Sequence, residues 1–523
     1  MWGRVMDAIV LLIPLLPFVA AWIIGIGQLF GMMNGEADET KTGYIAGWTS
    51  SIACLLALTL WIADVLGKNT GSYTIGHWLS SDMLDVQLNF ITTGFNVRLA
   101  ALFSVIIAIV MRFSMRYMHR EQGYHRFFFF LNLFAFAILL LVLSGNAITT
   151  FIGWEIAGLC SYFLIAYAYD RPVAASHATR VFVTNRIGDA AFILGAGLSY
   201  ISIDSFNWSA INAAVLHMTQ TESTAIALCF ALAAFAKSAQ LPFTPWLARA
   251  MEGPTPSSTV FYGAVMVHAG VYLIILLRPI FEQVPLAMTV LAIVGLSTAL
   301  YGFIVGLTQT DVKSSLIFAT SGQLGLMFME CGLGFWQLAG WHLCAHAVIR
   351  GYQFLSVPSL MHNMQGLYAD SAPRLIPTWL YVTSLQRFWL DPITDWLLVK
   401  PVRCLAHDLS YFDDHIVDSI MGSPAPAILA ISSLAQREEQ IIGAHLDTES
   451  THFALSSGLA GKLTQWMAAI LDWFEEHFVL RGIGQNVLNY GRELGHIANR
   501  FEQSVLRPRY LVLFVFITLL VAF

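Results

Sequence analysis

Apolar residues in this chain come in long runs rather than in single faces. Runs of about 18 or more, long enough to cross a hydrocarbon core of ~30 Å, recur at 5–30, 46–66, 95–116, 127–144, 146–169, 181–202, 223–252, 257–278, 285–307, 314–332, 336–357 and 375–397, with a shorter one at 509–523. The pattern predicts an all-α polytopic membrane protein with roughly 12–14 transmembrane helices. The short alternating strands of a membrane barrel do not appear in it. The run at 223–252 carries Lys237, Pro242 and Pro245, so a broken helix is expected near 237–252. Residues 5–30 exceed a signal-peptide core and show no small-residue cleavage site, so they read as a retained span.

The last third follows another rhythm. From Leu463 to Leu506 apolar residues (Leu463, Trp466, Met467, Ile470, Leu471, Trp473, Phe474) recur at helical spacing among Glu475, Glu476, Arg492, Glu493, Arg500 and Glu502. This predicts a C-terminal amphipathic lateral helix, interrupted near Gly482 and Gly484, lying along a surface. A final transmembrane span follows from Tyr510. Arg112, Arg116, Arg120 and Arg126 follow the third span, and Arg171 and Arg180 follow the fifth. By parity both loops share a side, which the positive-inside rule makes cytoplasmic, with the N-terminus outside.

Composition agrees. Of 523 residues, 57% are hydrophobic and 11% charged, against about 25% charged in soluble proteins. A net charge of −6 points away from nucleic acid. The six cysteines lie scattered without a C-x-x-C pair, giving neither a disulfide framework nor a metal site. No dinucleotide-binding or phosphate-binding glycine loop occurs, so no cofactor is expected in this chain.

The charges that remain inside apolar runs are therefore informative, because each costs ~2.5–3.5 kcal/mol at a helix centre. Glu155 sits in "FIGWEIAGLCSYFLIAY" with no basic residue on its own helix, so its partner must come from another one. Pairing with Lys237 across helices would lower the burial cost of both. Arg186 and Asp189, three apart, share a face of the next helix, and read equally as an interfacial ion pair. His268 reads as a relay or as a packing residue with a hydrogen bond. His342, His346 and Arg350 form a stripe at four-residue spacing, ~12 Å long at 1.5 Å per residue. A helix broken inside the membrane is tolerated only where it lines a cavity or is buried in protein, and such breaks mark ion sites. Burial and a movable carboxylate tune a lysine's proton affinity, so Lys237 reads as a proton-exchanging group. The alternative is a structural kink with a paired lysine.

The segments "FIGWEIAGLCSYFLI", "NRIGDAAFILG", "AKSAQLPFTPWLARAMEGPTPSS", "TDVKSSLIFATSGQLGLMF" and "WHLCAHAVIRGYQFL" occur in this order. Over residues 90–365 the chain resembles the antiporter-like membrane subunits of respiratory complex I, its large distal subunit above all, and their relative in Mrp cation/proton antiporters. The resemblance implies a chain of buried protonatable groups: Glu155 paired with the channel lysine Lys237, Asp189 on the next helix, Lys313 heading a later helix, and central histidines His342 and His346. Arg350 stands where the family usually has lysine, and Tyr262 where it usually has histidine, with His268 following. It also implies a division into N-terminal spans (1–90), a first antiporter-like half with the channel motifs (91–280), a shortened second half (281–397) and a tail (398–523). The shortening resembles the membrane subunit of DAB-type inorganic-carbon pumps, which works with a large soluble zinc-containing partner similar to carbonic anhydrase. The expected function is a proton- or sodium-translocating subunit, multi-pass in the bilayer of a prokaryotic cytoplasmic membrane, energising carbon uptake. The alternatives are an antiporter-like subunit beside other complex-I-like membrane subunits, in a quinone-reducing or hydrogenase complex, and a non-conducting scaffold.

Overall fold

A computed structural model of the chain describes residues 2–69, 71–81, 84–309, 311–363 and 377–412. They fall into two compact units, one of residues 2–29 and 33–395, the other of residues 30–32 and 396–412. In the second unit the described element is α18 (Lys400–Phe412). All other elements below belong to the first.

The N-terminal helices are α1 (Trp2–Leu29), α2 (Glu39–Val65), α3 (Gly94–Tyr117), α4 (Tyr124–Leu143), α5 (Ala147–Ile165) and α6 (Pro172–Ile203). Short α7 (Trp208–Ala214) leads to α8 (Gln220–Lys237). Thr219 and Glu222 close a capping box at the start of α8, satisfying amide groups that the first turn leaves free. Then come α9 (Pro245–Arg249), α10 (Thr255–Ser258), α11 (Ala269–Leu276), α12 (Arg278–Glu282), α13 (Pro285–Gly306), α14 (Val312–Gly332) and α15 (Trp336–Asn363). Among the described residues, eight helical stretches are long and apolar enough to cross a membrane. The helices α8, α14 and α15 are membrane-length too, and carry most of the polar groups discussed below.

Helix contacts follow membrane rather than aqueous logic. Along α13, Leu286, Ile293, Leu300 and Leu307 face outward, 56–83% exposed. The opposite stripe carries Gly295 and Gly302, where an added Cβ would come within 2.5 Å of Gly325 O and 2.6 Å of Phe318 O on α14. Lipid already solvates leucine, so close backbone approach rather than apolar burial holds such a pair.

Two features depart from the sequence reading. β1 (Ser72–Ser81) and β2 (Leu84–Ile91) pair antiparallel, with irregular register at Thr74/Gly76 and His77/Leu79. Alternation buries Val86 and Phe90, the period of two that a half-buried strand requires. Among the described residues the continuous span expected at 375–397 is also absent. Residues 378–394 make α16 (Thr378–Leu385), a tight turn at Arg387–Trp389 and α17 (Leu390–Thr394). Arg387, Phe388 and Trp389 all have φ of 52–54°, a left-handed run that no continuous helix contains. Arg387, Asp391 and Asp395 recur every fourth residue and find charged partners instead of lipid. The lateral helix at 463–506 and the span at 509–523 lie outside the described residues.

Candidate functional site

The expected break is present, built differently from a kink. α8 ends at Lys237, Ala239 turns left-handed at φ 50°, Leu241–Pro242 is cis, and α9 starts afresh with Pro245 at its first position. There Pro245 forfeits no helical hydrogen bond. Side chains take up the freed backbone groups, as a non-aqueous interior demands. Trp246 Nε1 donates to Ala236 O at 2.8 Å, Gln240 Nε2 to Ser238 O at 3.0 Å, and Leu241 N to Thr298 Oγ1 at 3.0 Å.

A second interruption faces the first. Between α10 and α11 the chain passes through a π turn (Thr259–Ala264), Val265 at φ −129° and ψ −68°, and a 3-10 turn (Met266–His268). Tyr262, fully buried, donates to Ala250 O at 2.6 Å. Ser238 Oγ donates to Val267 O at 2.6 Å. The two breaks therefore touch one residue beyond Lys237 and one residue before His268. π turns often mark functional sites.

Around the first break lies an ionic group in which Lys237 and Asp189 are buried and Arg186 and Glu155 half-buried. Lys237 is 1% exposed. Its Nζ donates to Trp154 O at 2.9 Å and sits 5.0 Å from the Trp154 ring centre. On α5 and α6, Arg186 pairs with Glu155 and reaches Asp189 Oδ2 at 2.8 Å, while Trp154 Nε1 donates to Asp189 Oδ1 at 2.7 Å. One guanidinium thus bridges two carboxylates. Sequence suggests a Glu155–Lys237 pair, direct or through water; the direct ion-pair partner of Glu155 is Arg186. Arg186 of α6 reaches Glu155 of α5, and the lysine donates to a backbone carbonyl. Gly158, one turn beyond Trp154, makes the room: a Cβ there would stand 3.2 Å from Lys237 Nζ and 3.4 Å from Arg186.

Around the second break lies a histidine group. His268 Nε2 and His346 Nδ1 are 2.9 Å apart, and Arg350 Nε donates to His346 Nε2 at 3.3 Å. His342 contacts Glu330 at 2.9 Å through Nδ1 and Gln323 Oε1 at 2.9 Å through Nε2, both on α14. The expected stripe on α15 exists and gains the company of His268. Lys313 stands apart from both groups, donating to Met251 O at 2.9 Å and Gly253 O at 3.3 Å, where it steadies the carbonyls at the far end of the broken helix.

Trp154, Gly158, Gln323 and Glu330 escaped the sequence reading. Glu330, a carboxylate directly after the apolar run 324–329, carried a usable signal; Trp154 and Gly158 look like ordinary membrane residues. Among the described residues no cluster of histidine, cysteine and carboxylates could hold a metal ion.

A third charged group ties down the segment that replaced the expected span. Asp391 meets Arg249 at 3.0 Å, Arg180 at 3.4 Å and Arg387 at 3.9 Å, and Asp395 meets Arg180 at 2.7 Å. Phe388 and Leu390 pack on Ala248, Tyr301, Val305 and Phe318, with Leu241 of the break.

Residues 78–128 match the family described as NADH-ubiquinone oxidoreductase (complex I), chain 5 N-terminus, and residues 144–379 the family described as NADH:quinone oxidoreductase/Mrp antiporter, TM. Together they take in more than half of the chain. The chain belongs to the antiporter-like subunit family of complex I and Mrp antiporters. This antiporter-like chain is 34% identical over 368 residues to NAD(P)H-quinone oxidoreductase chain 5 of a Picosynechococcus species, matching 69% of its own length and 55% of that chain. It is 31% identical over 475 residues to the chloroplastic subunit 5 of Piper cenocladum, 89% of its length and 64% of that chain. It thus spans little more than half the length of the curated relatives it matches. Among solved structures, an Mrp complex from a Dietzia species gives a TM-score of 0.59 at 28% identity, over 69% of this chain and 39% of that one. An archaeal membrane-bound sulfane sulfur reductase gives 0.57 at 18% identity, over 67% and 56%, and shares the fold.

Proposed function

We propose that this antiporter-like chain is an ion-translocating subunit of a complex-I-like membrane assembly, moving protons or sodium ions beside other membrane subunits. One observation carries the reading: a fully buried lysine at the end of an interrupted helix, next to two carboxylates that share one arginine. Such a group holds more protonation and pairing states than a structural ion pair needs, and buried ionisable groups in membranes serve pathways. The oxidoreductase names of the relatives support this setting over the carbon-pump one. A DAB-type role with a zinc-bearing soluble partner is a second reading, and rests on the shortened second half: beyond α15, residues 377–395 form short pieces instead of another membrane-length helix. A prokaryotic cytoplasmic membrane is the proposed location; the relatives include cyanobacterial and chloroplast chains.

The test is Lys237→Ala in the native assembly. The variant inserts and co-purifies normally but loses ion movement, read as dye-reported flux in proteoliposomes. Full flux in a correctly assembled variant rejects the reading and favours a scaffold. Mass spectrometry of what co-purifies separates the two settings: redox subunits support the first, a zinc protein the second.

A further inference from the structure

The histidine group contains a constraint that follows from donor chemistry alone. Arginine has only N–H donors and no acceptor. Because Arg350 Nε donates to His346 Nε2, that nitrogen carries a lone pair, and His346 is neutral with its proton on Nδ1. Nδ1–H then points at His268 Nε2, 2.9 Å away, which must accept. His268 in turn keeps its own proton on Nδ1. One guanidinium sets the tautomers of two rings. Its own orientation is set by Gln353, whose Oε1 accepts from Arg350 at 2.9 Å.

An imidazole passes a proton by taking one on one nitrogen and releasing one from the other. The receiving nitrogen of His346 faces a group that stays protonated in proteins. We propose that Arg350 is a positioning residue that fixes the tautomers of His346 and His268 and closes His346 Nε2 to proton exchange, so the pair conducts only when Arg350 turns away. The last clause rests on the proposed function; the tautomer assignment does not. The groups facing His346 are His268 from the second break, and His342 and Arg350 from its own helix, with Glu330 of α14 behind His342 and Phe103 of α3 against His268.

Solid-state NMR of the full chain, histidine-labelled with 15N in lipid nanodiscs, tests this directly, with His346→Asn assigning the resonances. At neutral pH, His346 is expected to show a protonated Nδ1 and an unprotonated Nε2. Arg350→Met should let the proton redistribute between the nitrogens and let Nε2 protonate at higher pH than in the natural chain. Arg350→Lys should restore the original tautomer. A proton on His346 Nε2 in the natural chain, or an Arg350→Met spectrum identical to it, overturns the proposal. The natural-chain spectrum decides even where the methionine variant does not fold, and none of these readings depends on ion flux.

Discussion

Gly158 shows how much of the ionic group depends on one missing side chain. The two nearest atoms to an added methyl are ends of flexible chains, Lys237 Nζ and Arg186, so Gly158→Ala should fold. It should nevertheless displace both cations. Ion flux of the assembled variant is expected to fall about tenfold, the equivalent of ~1.4 kcal/mol in a barrier, with normal co-purification. A flux equal to the natural chain's would show that cation placement there is slack. At this scale the sequence revealed which polar groups lie among apolar ones, because Glu155, Lys237, Asp189 and His346 stand out against their surroundings. It gave the Arg186–Asp189 pair within one helix but not the pairs between helices. That choice is made by how α5, α6 and α8 pack against one another, which side-chain spacing within one helix does not encode. Arg350 was readable as a departure from lysine; its grip on His346 Nε2 needed coordinates.

The elements were legible where polarity or proline marks them. Pro242 and Pro245 announced the first break. The second did not announce itself, since residues 259–268 are almost wholly apolar and the π turn comes from packing against α15 and the first break. The segment at 378–394 misled because its composition suits a span, while its fourfold-spaced charges suit an ionic latch. That latch is testable. Asp391→Ala leaves Arg180 and Arg249 without the carboxylate they share, a loss of about 1–3 kcal/mol for groups left unsatisfied. A lower melting temperature in detergent and faster proteolysis within 377–395 are expected. Asp395→Ala should do less, because that carboxylate is half exposed and pairs with Arg180 alone. Equal melting temperatures for Asp391→Ala and the natural chain would show that apolar packing of Phe388 and Leu390 suffices.

Across the molecule, hydropathy gave the membrane class, and the parity of the spans put two basic loops on one side. The basic connections after α3 and α5 do lie together: Tyr167 Oη donates to Gln122 O, and Arg126 donates to Tyr167 O at 2.8 Å. The β1–β2 pair was missed because one short alternating pair is a weak signal among long apolar runs. The tail is a separate expectation. A chain ending at residue 462 keeps every residue of the ionic and histidine groups, so the NMR signature of His346 should persist. Removing the amphipathic stretch and final span should weaken capture of partner subunits in a pull-down. Undiminished capture and flux would make those residues dispensable.

The hydrogen bond from Ser238 to Val267 O has a thermodynamic consequence. If either interruption unwinds or reforms, the other loses or gains a partner worth about 1 kcal/mol, enough to change a two-state ratio roughly fivefold. Linkage then imposes symmetry on the pair. However strongly a change of charge at Lys237 biases the shape around His268, a change of charge at His268 must bias the shape around Lys237 by the same free energy. Measured affinities for protons at the two places therefore cannot be assigned independently, and a titration curve fitted to either one alone will carry the imprint of the other.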